Sequence, residues 1–318
     1  MKIGILKTDV VREEWVPRFG EYPDMFIRLL GDRAPDLQFE VYDAMNGEYP
    51  SDLDEVDAYL ITGSKFSVYD DLPWIHELLA FIRRIFEHGK QIVGICFGHQ
   101  AVAQALGGET RKADAGWGVG IHHHRFAERP PWLDDGDLSF PVLVSHQDQV
   151  TANADGARTL AGSEFCPNAV CQIGDQVLTL QGHPEFVPEY SLEIMDFRRE
   201  RIGEDRYAAG TASLAEAPDN QLPPGLSFTP AAAVRRAQSS RVTFFCIASR
   251  YASSSPSLAN TAMSGRAWRI SNTFSTWGWR LLTARLRPAA LRVLAALKIT
   301  RRPAELMYVS SAMFSSTI

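Results

Sequence analysis

Cys96 stands where an apolar run passes into a helical pattern, in Gln91-Ile-Val-Gly-Ile-Cys-Phe-Gly-His-Gln-Ala-Val-Ala-Gln-Ala-Leu106. The glycines two positions either side, Gly94 and Gly98, suit a sharp strand-to-helix turn, where a side chain would collide with neighbouring backbone. Such an elbow lifts the sulfur above a sheet and sets it at the positive end of a helix. Backbone N–H groups and the dipole there favour a thiolate or an oxyanion. By itself the pattern also fits an inert buried cysteine. A cysteine nucleophile needs a base, and the base an orienting partner. Val177-Leu-Thr-Leu-Gln-Gly-His-Pro-Glu-Phe186 offers both: an apolar strand runs to Gly182, then His183 and Glu185 follow. The proline between them restricts the backbone, so the carboxylate can hold one imidazole nitrogen while the other faces sulfur. Taken alone, His-Pro-Glu also fits a loop and helix cap; joined to the elbow, it points to thiolate catalysis.

Strands and helices must hold these residues in place. Short apolar runs recur at Ile3 to Leu6, Phe39 to Tyr42, Ala58 to Ile61, Ile92 to Ile95, Val142 to Val144 and Val177 to Leu180. Helical patterns separate the first four, which predicts parallel strands joined by crossover helices. The clearest helix lies between Pro73 and Gly89, with Ile75, Leu78, Leu79, Ile82, Ile85 and Phe86 on one face. Asp70 and Asp71 are candidate caps, and Pro73 suits the first turn and Gly89 the exit. A second helix is expected from Pro188 to about Gly203. It ends in Arg198, Arg199 and Arg201, which suit the negative end of a helix dipole. This alternation implies an α/β domain.

A chain of 318 residues, 45% hydrophobic and 22% charged, is no collagen-like, disordered or mini-protein sequence; it can fill one large domain or two modest ones. Its net charge of −6 hides a split. Residues 1–221 carry 19 Lys+Arg against 37 Asp+Glu, a net −18, and residues 222–318 carry 13 against Glu305 alone, a net +12. The second stretch holds 15 Ser, 16 Ala and 12 Arg, with no repeat and only Ala289 to Ile299 resembling a helix. An Arg-rich segment could bind nucleic acid or an anionic membrane. These arginines are scattered rather than clustered, so residues 222–318 are read as an atypical, frameshifted or disordered tail without such partners. Cys96, Cys166, Cys171 and Cys246 form no CxxC pair, which argues against a disulfide framework and a structural zinc site and for a reducing, cytoplasmic setting. Met1 to Asp9 reads as a strand rather than a secretory signal, and no window approaches the roughly 18 apolar residues of a membrane span.

Through Gly-Ile-Cys-Phe-Gly-His-Gln and Gly-His-Pro-Glu, residues 1–221 resemble the class I (triad) glutamine amidotransferases. They are most similar to stand-alone members related to the glutaminase domain of GMP synthase and to the γ-glutamyl peptidases. The resemblance implies a flavodoxin-like α/β fold, with a central, mostly parallel sheet and flanking helices. It implies a Cys96–His183–Glu185 triad that hydrolyses glutamine or a γ-glutamyl amide through a thioester. Leu60-Ile-Thr-Gly-Ser-Lys65 resembles the loop that gives one oxyanion-hole N–H, from Gly63 or Ser64, and Phe97 would give the other. Gln100 matches a position contacting the amino-acid end of the substrate, and Ser145, His146 and Gln147 match the block that holds the same end. The chain carries Ser64 and Lys65 where the GMP-synthase pattern usually has a second glycine and a proline, a difference at the pocket entrance.

No metal or organic cofactor is expected. His122, His123 and His124 resemble a metal tract, but consecutive residues on a strand point in different directions. Trp117, in a segment that resembles one near the family's site, is read as packing. Trp74 is a candidate for the cleft wall. No ATP-binding pattern is present, so a synthase using the released ammonia would be a separate polypeptide. Two rivals stand beside the hydrolase: a non-catalytic regulatory protein on the same scaffold, and another elbow-cysteine enzyme, which accounts poorly for Gly-His-Pro-Glu.

Overall fold

The computed structural model describes residues 1–133 and 137–216, and the backbone of 297–300 and 308–311. The chain separates into two units, Met1–Tyr251 and Ala252–Ile318. In the first, the strands are β1 (Lys2–Lys7), β2 (Gln38–Asp43), β3 (Ala58–Ile61), β4 (Gln91–Ile95), β5 (Glu109–Lys112), β6 (Gly118–Phe126), β7 (Ser139–His146), β8 (Asp148–Ala152), β9 (Ala157–Gly162), β10 (Val170–Ile173) and β11 (Val177–Leu180). The helices are α1 (Val16–Phe19), α2 (Tyr22–Gly31), α3 (Pro73–Glu87), α4 (Phe97–Ala105), α5 (Pro188–Ile202) and α6 (Glu204–Ser213).

Nine strands form one sheet in the order β2-β1-β3-β4-β11-β10-β9-β6-β7. Pairing is parallel from β2 through β11 and antiparallel beyond it. β5 and β8 pair separately. Within the parallel half, β1, β3, β4 and β11 are buried on both faces, as crossover helices require, and the edge strand β2 is largely exposed. Tyr59 and Ile61 of β3 point into the apolar cluster shared with α3 and α4, and Leu60 points into the cluster containing Phe26 and Leu30 of α2.

The two expected helices form as α3 and α5. Leu72, not Asp70 or Asp71, occupies the N-cap of α3, and it makes no side-chain cap. Asp70 instead accepts the Ser67 N–H at 2.9 Å and Asp71 pairs with His76 at 2.8 Å, because the chain must still turn through Leu72 before Pro73 starts the helix. Trp74 packs edge-on against Phe66 and tilted against Phe97, with ring centroids 5.6 and 5.7 Å apart. In the second unit the backbone shows an antiparallel pair, β12 (Leu297–Thr300) with β13 (Tyr308–Ser311). The helix expected over Ala289 to Ile299 therefore fails at its last three residues, where strand pairing prevails over local pattern. The rest of that expectation, and most of the 222–318 tail, lies outside the described residues.

Register decides where the chemistry collects. Ile95 of β4 lies beside Leu180 of β11, and Ile61 of β3 beside Gly94. Thr62, Cys96 and Gln181, each the first residue past a strand, therefore emerge together at the carboxyl edge of the sheet, where ligands of open α/β sheets bind.

Candidate active site

Cys96 has φ +51° and ψ −100° and is the only non-glycine at positive φ among the described residues. Such a conformation costs about 1–3 kcal/mol and persists where its surroundings fix it. Here they do. A Cβ on Gly94 would stand 2.5 Å from the Gly98 carbonyl, and one on Gly98 would stand 2.4 Å from the Ile61 carbonyl. The head of α4 thus presses directly onto β4 and the end of β3. The Cys96 N–H donates to Leu180 O at 2.8 Å and the Gly98 N–H to Thr62 O at 3.1 Å.

His183 leaves β11 anchored by its own N–H, which donates to Leu143 O at 2.8 Å. Glycine at 182 is needed there, since a Cβ would meet both methyls of Val142 within 2.8 Å. The imidazole lies flat on Phe186, centroids 3.9 Å apart, and its Nδ1 is 2.8 Å from Glu185 Oε1. It also reaches the Cys96 sulfur. Burial disfavours its charged form, but the sulfur and the Glu185 carboxylate outweigh burial and lift His183 to about 10. Glu185 Oε2 is buried with no partner, so the imidazolium is what balances this carboxylate.

The loop after β3 is held by the end of β1, a function not evident from the strand pattern. Thr8 Oγ1 donates to Gly63 O at 2.9 Å, and Ser64 Oγ donates to Thr8 O at 2.8 Å. The buried Asp9 carboxylate takes the Lys65 N–H and Nζ, each at 2.7 Å. With the Gly63 carbonyl held toward Thr8, the trans peptide turns the Ser64 N–H away from β1. The Phe97 N–H is the first of α4, a position with no acceptor inside the helix.

A second glutamine joins the sulfur. Gln100 Nε2 donates to Asp148 O at 2.9 Å and to Gln181 Oε1 at 3.1 Å, and Gln181 Nε2 donates to Cys96 Sγ at 3.5 Å. Gln181 was not among the expected site residues. Its signal was a lone amide closing an otherwise apolar strand two residues before His183. Gln100, Ser145, His146 and Gln147 line one cleft with Cys96, as does Trp117, which packs as expected on the cluster of Val119, Met195 and Ile202. The Trp117 backbone carbonyl accepts from Arg206 at 3.0 Å, and its ring carries Arg198 and Arg201 of the cleft. Burial pushes His146 down to about 3, so it stays neutral, with Nδ1 3.1 Å from Asp148 O.

Residues 25–195 match the glutamine amidotransferase class-I family. The chain belongs to that family. Gamma-glutamyl peptidase 3 of Arabidopsis thaliana is 31% identical over 186 residues, covering 56% of this chain and 74% of the plant protein. Gamma-glutamyl peptidase 2 of the same plant is 30% identical over 183 residues, covering 56% and 73%. A glutamine amidotransferase of Thermotoga maritima superposes with a TM-score of 0.53 over 68% of this chain and 90% of its own, and at 16% identity this likeness shows the fold alone. This class-I amidotransferase has an α/β fold with a large, mostly parallel central sheet. No helix among its described residues is long and apolar enough to cross a membrane.

The histidine tract follows strand alternation. His122 is half-buried, His123 exposed and His124 buried on β6, so neighbouring rings face opposite sides. Cys166 and Cys171 are buried free thiols that burial pushes up to about 12 and 11, which keeps them protonated at neutral pH.

Proposed function

We propose that this amidotransferase hydrolyses γ-glutamyl amide bonds through a thioester on Cys96. The observation that carries the reading is His183, seated between the Cys96 sulfur and a buried Glu185 carboxylate at 2.8 Å. The raised His183 keeps an imidazolium beside the Cys96 sulfur, which attacks as the thiolate. The sulfur adds to the γ-carbonyl carbon, and the carbonyl electron pair moves to oxygen. The Phe97 and Ser64 N–H groups receive that charge as it develops. When the tetrahedral species collapses, the C–N bond breaks and His183 delivers its proton to the departing amine. Neutral His183 then takes a proton from water as the water oxygen adds to the thioester. Glutamate leaves, and Cys96 is freed as the thiolate beside imidazolium. Glu185 orients the ring throughout.

Gln100 has both amide hydrogens engaged, leaving its carbonyl for the α-ammonium of the glutamyl group. Ser145, His146 and Gln147 border the same end. Metal and organic cofactors have no step in this scheme. The gamma-glutamyl peptidases among the relatives support the substrate class.

The test is alkylation by an electrophilic glutamine analogue, read by peptide mass spectrometry. One equivalent on Cys96, with loss of turnover, is expected, and γ-glutamyl peptides should be cleaved by the isolated chain. Failure to label Cys96, or equal labelling of Cys166 and Cys171, overturns the proposal.

A further inference from the structure

The cleft over Cys96 is unevenly charged. Lys65, Lys112, Arg198 and Arg201 line it against one acid, Asp148. Lys65 is already paired with Asp9, and Asp148 accepts the hydroxyls of Ser67 at 2.5 Å and Tyr69 at 2.9 Å. Among the described residues no carboxylate pairs with Lys112, Arg198 or Arg201.

The two arginines lie three residues apart on α5, and so on one helix face. Arg199, between them, turns the other way and binds Glu204 at 2.9 Å. A helix dipole accounts for basic residues in the last turn but not for their direction. Arg198 and Arg201 each place their guanidinium 5.6 Å from the centre of the Trp117 ring, and Arg198 Nη1 donates to Ser145 Oγ at 3.1 Å. Arg198 thus has one side-chain hydrogen bond and one ring holding it in place, and further N–H groups for a ligand.

Its position relative to His183 indicates which end of a substrate it meets. A second recess, lined by Gly63, Tyr22 and His183, joins the main cleft at Ser64, Ser145 and Arg198. The leaving nitrogen departs on the side of His183, which protonates it. Ser145, whose hydroxyl Arg198 holds, lines both the cleft and this recess and so stands between the glutamyl end and the leaving group, and Arg198 borders the path of the leaving group.

We infer that Arg198 and Arg201, braced by Trp117, form a subsite for a carboxylate on the leaving group. The inference rests on the γ-glutamyl hydrolase reading and narrows it. The preferred leaving group is an α-amino acid, whose carboxylate lies one carbon from the nitrogen that accepts the proton. Ammonia and neutral amines leave the arginines unsatisfied. The side chain of that amino acid meets no such constraint.

The experiment compares γ-glutamylglycine with γ-glutamylglycinamide, which differ only in the carboxylate, using the full chain. Wild-type kcat/KM should favour the acid by about tenfold or more, the scale of a charge-assisted hydrogen bond. The preference should shrink as salt is raised. Arg198→Gln and Arg201→Gln should each lower the ratio, chiefly through KM for the acid, and the double variant should bring it near one. Arg198→Lys should keep part of the preference. Circular dichroism shows whether each variant folds. Equal turnover of both substrates by the wild type overturns the subsite alone. Equal losses on both substrates in the Gln variants also overturn it, by placing the arginines at the glutamyl end. A chain that cleaves neither substrate overturns the hydrolase reading and the subsite with it.

Discussion

A Cβ placed on Gly63 would stand 2.8 Å from Cε1 of His183, and 3.6 Å from the Cβ of Cys96. Glycine at 63 is therefore a matter of room beside the imidazole. The ring cannot yield easily, because its other face lies on Phe186 at 3.9 Å. Gly63→Ala should displace His183 and lower kcat on the order of 100-fold, the scale of an ångström-sized misplacement. Overpacking should cost only about 1–3 kcal/mol of stability. Parallel assays of kcat and urea unfolding check this; unchanged kcat would mean that the ring has space the geometry denies it.

Removing the imidazole and neutralising its partner should not be equivalent. In the proposed mechanism His183→Ala deletes the group that moves the proton. Glu185→Gln keeps the ring and loses the charge that orients it. By analogy with other triads, the histidine variant should lose about 10-fold to 100-fold more of kcat than the glutamate variant. Equal residual rates would argue against the roles assigned to the pair.

Much of the site was legible because its chemistry is local in sequence. Gly94 and Gly98 mark the elbow by their spacing, and the structure supplies the cause in contacts of 2.5 and 2.4 Å with backbone carbonyls. The apolar runs that became β1, β3, β4 and β11 were equally readable, being buried on both faces. What escaped was polar and brought together by register. Thr8 and Asp9 looked like the end of a strand, yet their bonds to Gly63 O and Lys65 hold the loop after β3, 55 and 56 residues away. Gln181 meets Cys96 only because β4 and β11 are neighbours. The antiparallel strands β5, β6, β8, β9 and β10 are short or mixed in polarity, so no clean period announced them. Arg198 and Arg201 fitted a helix terminus so well that a role in the cleft left no trace in the pattern.

Activity should persist well into alkaline pH. In the proposed mechanism the proton that reaches the leaving amine sits on His183, lifted to about 10 by the sulfur and the Glu185 carboxylate against the opposing effect of burial. As pH rises through that value the imidazolium is lost, and kcat/KM should fall. Taking away the carboxylate removes a stabilising negative charge, so Glu185→Gln should move this alkaline limb toward neutral pH. A pH–rate profile of kcat/KM for both proteins decides it. Limbs at the same pH would show that Glu185 contributes nothing to the charge on His183.

Acid stability should be governed by buried histidines other than His183. Burial pushes His99 and His146 down to about 3, and His124 down to about 4. All three remain neutral in the folded chain at pH values where an unfolded histidine, with a pKa near 6.5, is already charged. The unfolded state then binds more protons, so the stability present above about 6.5 is lost as pH falls toward 4. Each group adds at most about 1.4 kcal/mol per pH unit to the slope. His124 offers the cleanest test, since both of its ring nitrogens are buried without partners and it packs against Phe140 at 5.9 Å. His124→Leu removes a group that cannot be satisfied and cannot be charged in place. Its stability at pH 7.5 should match or exceed that of the parent, and its loss between pH 6.5 and 4.5 should be shallower by up to one proton. Urea midpoints across that range measure the difference. An unaltered pH slope would place the acid sensitivity elsewhere.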